Sequence, residues 1–228
     1  MEKALCKGQL RMAYNIALNS ELEKEIRKAS KAGEILCPDV ECKAPALRYC
    51  HGGVYSAYFA HKSKDACDYA LFDKKDNATF RYARHVLCEH FENMGYQVFL
   101  EEKLLDHHYT HLVLSSVQSQ KDEKIAIELG DIKVHPKYMR QINDEYFARG
   151  ITVNWLLVDD EQRSARIEYK KYLEWYLNSG ACNKHLIVLS NDIKEVAEYK
   201  EICIPGEFPQ KLGTIDGLSI ISGEIVLK

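Results

Sequence analysis

The residues equipped for chemistry fall into two sets. In the first, Cys37 and Cys42 flank the proline-bearing turn Cys37-Pro38-Asp39-Val40-Glu41-Cys42, and Tyr58-Phe59-Ala60-His61 followed by Cys67 adds an imidazole and a third thiol. Two ligands from each of two turns close a tetrahedral sulfur and nitrogen site with no open position, the pattern of structural zinc. Cys37, Cys42, His61 and Cys67 are the expected metal ligands, with Cys50 and His51 as alternative members. So short a segment, with Gly52-Gly53 in its middle, has little core of its own, and structural zinc supplies roughly 10 kcal/mol or more of apparent folding free energy.

The second set centres on Lys124-Ile125-Ala126-Ile127-Glu128-Leu129-Gly130, an apolar run of strand length that carries one carboxylate. An unpaired charge in such a strand is costly, so Glu128 requires a metal, a cation or the end of the sheet beside it. Upstream lie Glu101, Asp106 and the histidines His107, His108 and His111. The first two histidines fall in a polar turn and read as exposed, whereas His111 opens an apolar strand and is a candidate ligand for a transition ion, which imidazole suits better than Mg²⁺.

The elements that must position these residues follow from periodicity. A helix is expected over 20–32, capped by Asn19 or Ser20, with Glu21 and Glu23 in its first turn and Gly33 as its stop. A second, amphipathic helix spans about Asn77 to Asn93, with Phe80, Ala83, Leu87 and Phe91 on one face and Gly95 beyond it. Strands are expected at 96–101, 111–114, 124–130 and 151–158, in the order hairpin, then helical crossover, then a buried parallel strand. Beyond them come a helix over 161–178, a buried strand at 185–189, a short helix over 192–200, and irregular or short β structure to the end. The stripe Ala165, Tyr169, Tyr172, Leu173 and Tyr176 reads as core or interface, and Arg163, Arg166, Lys170 and Lys171 as a solvated face.

Composition bounds the function. The 228 residues are 46% hydrophobic, enough for a buried core, and the net charge of −3 supplies no overall basic field. No apolar run is long enough for a membrane span and the chain opens on Met1-Glu2-Lys3 without an apolar signal core, so the expectation is a cytoplasmic protein. Four of the eight cysteines crowd between Cys37 and Cys67, and in a reducing compartment such clustering favours metal over disulfides.

The Cys-Pro…Cys turn, the glycine-bearing hairpin, Phe59-Ala60-His61 and Cys67, together with the opening Ala4…Gly8…Ala13, resemble the zinc-ribbon module of the competence protein CoiA-like family. In that family the module precedes a PD-(D/E)xK nuclease domain, and the order of helix, strands and Glu128 here is similar to its core, with Tyr146, Gly150 and Trp155 where the family has a tyrosine, a glycine and a tryptophan. The resemblance covers about residues 1 to 160. It implies an α/β fold: a restriction-endonuclease-like mixed sheet flanked by helices, with a small N-terminal zinc-ribbon-like module over 1–72, a nuclease-like core over 73–160, and a helix and strands over 161–228 extending that core. It also implies two carboxylates from adjacent strands holding Mg²⁺ or Mn²⁺, which lowers the pKa of a water and stabilises charge on the phosphate.

The chain departs from that pattern at several positions. The family's Cys-x-x-Cys is widened to Cys37 and Cys42, the first histidine of its His-Phe-Ala-His is Tyr58, and the acid, histidine and lysine of its helix are Asp76, Phe80 and Arg84. The aspartate before the hairpin is His111, and the glutamine or lysine two residues past Glu128 is Gly130. Asp131 and Lys133 form a D-x-K of their own, but an odd shift along a strand turns them to the face opposite Glu128. Two functions therefore stand side by side. One is a metal-dependent deoxyribonuclease using Glu128 with Glu101 or Asp106 as second carboxylate and His111 as ligand or base. The other is a pseudo-nuclease that binds nucleic acid or a protein partner.

Overall fold

A computed structural model describes residues 1–51, 57–62, 67–75, 77–116, 123–131, 134–158, 175–176, 185–190, 192–200 and 211–228. The chain divides into two compact units, Met1–His85 with Leu100–Tyr109, and Val86–Phe99 with Thr110–Lys228. The division passes through one helix and two strands, so neither unit is a contiguous stretch of sequence.

The first unit opens with strands β1 (Lys3–Cys6) and β2 (Gln9–Met12), antiparallel and joined through Lys7 and Gly8 at φ 50° and 77°. Two successive positive φ values make the hairpin turn whose twist matches that of its strands. Helix α1 (Ala13–Ala17) follows directly. Helix α2 (Ser20–Ala32) occupies the expected span: the Asn19 side chain accepts from Leu22 N at 3.0 Å, and Gly33 ends it in the left-handed conformation. Strand β3 (Ile35–Leu36) pairs with β1, while β4 (Leu47–Cys50) and β5 (Tyr58–His61) form a separate antiparallel hairpin. Helix α3 (Asp68–Lys75) comes next. Ala4, Ile16, Ile26, Ile35, Leu47, Phe59 and Tyr69 form the unit's buried core.

Helix α4 (Ala78–Asn93) is capped by the Asn77 side chain, which accepts from Phe80 N at 2.9 Å. Strands β6 (Tyr96–Leu105), β7 (His108–Ser116), β8 (Lys124–Gly130), β9 (Thr152–Val158), β10 (His185–Leu189), β11 (Glu195–Lys200) and β12 (Lys211–Thr214) build one seven-stranded sheet in the order β12-β11-β10-β9-β8-β7-β6. The sheet is mixed. β7 and β8 are antiparallel, β8, β9 and β10 are parallel neighbours, and β11 and β12 continue antiparallel. Helix α5 (Pro136–Ala148) makes the crossover from β8 to β9, as a parallel pair requires. Thr152–Val158 and His185–Leu189 read as nearly continuous apolar runs because both faces of these inner strands are covered. Strands β13 (Leu218–Ile221) and β14 (Glu224–Leu227) form a terminal hairpin.

One expectation fails. Residues 192–200 are not a helix: Glu195–Lys200 is strand β11, paired antiparallel with β10. Ser190 Oγ accepts from Lys194 N at 3.1 Å and Glu195 N at 2.9 Å, closing a turn that returns the chain alongside β10. The alternation that buries Val196 and Glu198 then outweighs the local helical preference of glutamate and alanine. The helix expected over 161–178 lies outside the described residues except for Trp175 and Tyr176, as do Asp76 and Lys133. No described helix is long and apolar enough to cross a membrane.

Candidate functional site

In the first unit the structure assembles the four expected metal ligands. Cys37 follows β3, where its N–H donates to Pro45 O at 2.7 Å. The turn to Cys42 is held by Cys42 N donating to Asp39 O at 3.1 Å and Glu41 N to Asp39 Oδ1 at 3.0 Å. His61 ends β5 and Cys67 immediately precedes α3. The ligand atoms all lie within 4.8 Å of one another. Cys37 Sγ is 3.9 Å from Cys67 Sγ, and His61 Nε2 is 3.4 Å from Cys42 Sγ and 3.6 Å from Cys67 Sγ. Bond lengths of about 2.3 Å to sulfur and about 2.05 Å to nitrogen place tetrahedral ligands about 3.8 Å (S to S) and about 3.6 Å (S to N) apart. The cluster therefore has the donors and the spacing to hold a metal ion such as zinc.

Among the described residues this is the one group of three or more His, Cys, Asp or Glu side chains so gathered. Cys50 and His51 stand outside it, and His51 Nδ1 instead meets Glu23 Oε1 at 2.5 Å. Burial raises the Cys37 thiol well above its ordinary value and pushes Cys67 up to about 11. Without an ion the Cys37 and Cys67 thiols hold their protons, and a metal must displace them as it binds. None of the described cysteines forms a disulfide.

Glu128 lies in the second unit, fully buried on β8. Leu112 pairs with Ile127 across the β7–β8 ladder, so His111 comes next to Glu128 on the same face. His111 Nδ1 is 2.7 Å from Glu128 Oε2, and Tyr146 of α5 donates its hydroxyl to Oε1 at 2.5 Å. Thr110 Oγ1 in turn lies 2.5 Å from the Tyr146 hydroxyl. Burial, then the neighbouring Glu128 charge, lifts the Tyr146 phenol far above its usual range, so it stays a donor. Tyr138 is pushed up to about 12, by burial first and then by Glu128. At Gly130 an added Cβ would stand 3.1 Å from Val134 Cγ2 and 3.2 Å from Leu157 Cδ2, so a side chain where the CoiA-like pattern has glutamine or lysine would press on both neighbours.

The other two carboxylates proposed from sequence belong to the first unit. Glu101 is 1% exposed and sits on β6 at φ 51°, a conformation uncommon for a residue with a Cβ. Its Oε2 accepts from Glu2 N at 2.7 Å and from the Tyr69 hydroxyl, and Oε1 lies 3.1 Å from Arg84 Nη2. Asp106 is exposed in the β6–β7 turn, beside the exposed His107, whose Nδ1 is 3.4 Å from Asp68 Oδ2. His108 begins β7. The structure thus brings His111 to Glu128 and gives Glu101 a separate set of partners. Glu2, Tyr69 and Thr110 escaped sequence reasoning: each is an ordinary residue until the fold sets it beside a buried carboxylate. No family model matches the chain, and no curated protein matches it.

Proposed function

We propose that this is a CoiA-like protein of restriction-endonuclease-like fold that binds DNA without hydrolysing it, its former catalytic strand now carrying a structural hydrogen-bond network. The observation that carries this reading is the environment of Glu128. One carboxylate oxygen takes the Tyr146 hydroxyl and the other the His111 ring, a use of the carboxylate that competes with binding Mg²⁺ or Mn²⁺. The crowding at Gly130 adds to it, because no amine or amide follows Glu128 on the same face to orient water.

The fold assignment draws support from the order α4, the strands β6 to β8, α5, and β9 parallel to β8. In this reading the Cys37, Cys42, His61 and Cys67 cluster holds a structural zinc that folds the N-terminal module, and the reduced thiols suit the cytoplasm. DNA is the partner the resemblance implies, and contact with its phosphates would weaken steeply with salt.

The test pairs cleavage with binding. Purified protein and its Glu128→Ala variant are incubated with single-stranded and duplex DNA in Mg²⁺ and in Mn²⁺, and affinity for the same labelled DNA is followed by anisotropy across a salt series. The expected result is salt-dependent binding and no cleavage by either form. Cleavage by the wild type that Glu128→Ala removes would instead establish a nuclease using Glu128, with Glu101, Asp106 and His111 as the next substitutions. Neither cleavage nor binding would move the search to a protein partner.

A further inference from the structure

The turns that carry the thiol cluster are themselves acidic. Glu41 directly precedes Cys42, Asp68 directly follows Cys67, and Asp39 lies two residues past Cys37, to whose Sγ its N–H donates at 3.4 Å. A divalent ion held by three thiolates and a neutral imidazole is net anionic, so binding gathers negative charge among carboxylates. A cation reaches these turns from a distant part of the same unit. Lys103 of β6 has its Nζ 3.4 Å from Asp68 Oδ2 and 3.6 Å from Glu41 Oε2, one ammonium between the turns that supply Cys67 and Cys42. The ammonium also stands 5.9 Å from the centroid of the Tyr109 ring, which is buried and stacked on Tyr69 at 4.4 Å, so it rests on a wall fixed by the core. The side chains of Lys103 and Asp68 are 28% and 24% exposed and that of Glu41 is 77% exposed, so the Asp68 pair is the less screened by solvent. Burial opposes the Lys103 charge, but Asp39, Asp68 and Glu41 together outweigh it and hold the ammonium above its ordinary pKa.

We propose that Lys103 is a positioning residue for the metal: its ammonium ties the Cys42 turn to the Cys67 turn and offsets the negative charge that gathers as the thiolates close on an ion. The proposal rests on the reading of Cys37, Cys42, His61 and Cys67 as a metal site. Lys103 touches none of the four ligand atoms and acts through the residues beside them. Turns already held together lose less freedom when the ion binds, so the tie appears as affinity. Charge is the property that matters. A guanidinium keeps it and can span the same two carboxylates, whereas an amide or a thioether lacks it.

Affinity is read by competing Zn²⁺ between the purified full chain and a chromophoric chelator at low salt. Lys103→Gln is expected to bind zinc about three- to tenfold more weakly than the wild type, the size that two partly exposed ion pairs carry, and the gap narrows at high salt. Lys103→Met, which keeps the aliphatic stem against Tyr109, gives the same loss and keeps the test valid should Lys103→Gln disturb the fold. Lys103→Arg restores the affinity. Lys24→Gln, which breaks an exposed pair with Glu21 on α2, leaves it unchanged. In an Asp68→Asn background Lys103→Gln costs less than in the wild type, because the tie has already lost one end. The Co²⁺ form of each variant keeps the wild-type sulfur-to-metal absorption band, since no ligand is altered. A wild type that takes up no zinc overturns the metal site, and this proposal with it. Zinc held as tightly by Lys103→Gln and Lys103→Met as by the wild type, or a loss that Lys103→Arg does not restore, overturns the role of Lys103 alone.

Discussion

Replacing Tyr146 by phenylalanine keeps the ring in its fully buried place and removes only the hydroxyl that donates to Glu128 Oε1 at 2.5 Å and meets Thr110 Oγ1. A hydrogen bond to a charged group contributes about 1.5 to 3 kcal/mol, and stranding a buried acceptor adds to the loss. Tyr146→Phe should therefore cost about 2 to 4 kcal/mol, or about 4 to 16 °C in Tm at the roughly 2 to 4 °C per kcal/mol of a chain this size. Both tryptophans, Trp155 and Trp175, belong to the second unit, so their fluorescence during urea unfolding follows the part of the molecule that is perturbed. Adding Glu128→Gln completes a double-mutant cycle, and a coupling energy of about 1 kcal/mol or more is expected for groups in direct contact. A loss below about 0.5 kcal/mol for Tyr146→Phe, typical of a surface substitution, or strictly additive effects in the cycle, would show that the phenol does not stabilise this carboxylate and would remove the main support for a structural Glu128.

Three further outcomes follow from the same geometry. The purified chain should carry one tightly held zinc per molecule, and a strong chelator or Cys42→Ser should open Met1–His85 to proteolysis, whereas Cys50→Ser should leave both zinc content and protection unchanged; metal analysis and limited digestion read this directly. Gly130→Gln should lower Tm by an amount equivalent to about 1 to 3 kcal/mol through contact with Val134 and Leu157, without producing cleavage in the Mn²⁺ assay. The Cys88 thiol is pushed up to about 12, mainly by burial and then by Glu92. Its folded pKa lies above the unfolded value near 9, so its contribution to stability is complete below about pH 9 and is lost as pH rises toward about 12. Alkylation by iodoacetamide should spare it at pH 8 in the folded protein, and rapid modification there would contradict the assignment.

Elements whose signals are local were legible in the sequence. Asn19, Glu21, Glu23 and Gly33 bound helix α2 by chemistry confined to its own ends, and Lys124–Gly130 announced β8 by an apolar run closed by a glycine. Residues 192–200 were misread because helix preference is local, whereas the partner that makes them a strand is β10. The metal cluster was visible because its ligands are rare residue types crowded together in sequence. The surroundings of the buried carboxylates were not. His111 meets Glu128 only once the β7–β8 register is set, and a slip of one residue would turn the two to opposite faces. The Glu2 N–H reaches Glu101 across 99 positions, a separation on which no spacing rule bears.

That last contact has a consequence for how the first unit can be made. Glu101 serves Glu2 N, Tyr69 and Arg84, and Arg84 is itself wholly buried, with Glu2 Oε1 also 3.7 Å away. During synthesis the thiol turns, both hairpins and most of α4 leave the ribosome before β6, so for that interval Arg84 lacks its nearer counter-charge. Burying such a cation with its nearer counter-charge missing costs stability, and the N-terminal region should close fully only when Leu100–Tyr109 arrives to complete it. The segment that carries the thiol cluster is accordingly a poor candidate for grafting onto other chains: severed near residue 72 or 85, it would remain open at the other end, waiting for a strand that belongs to the next part of the sequence.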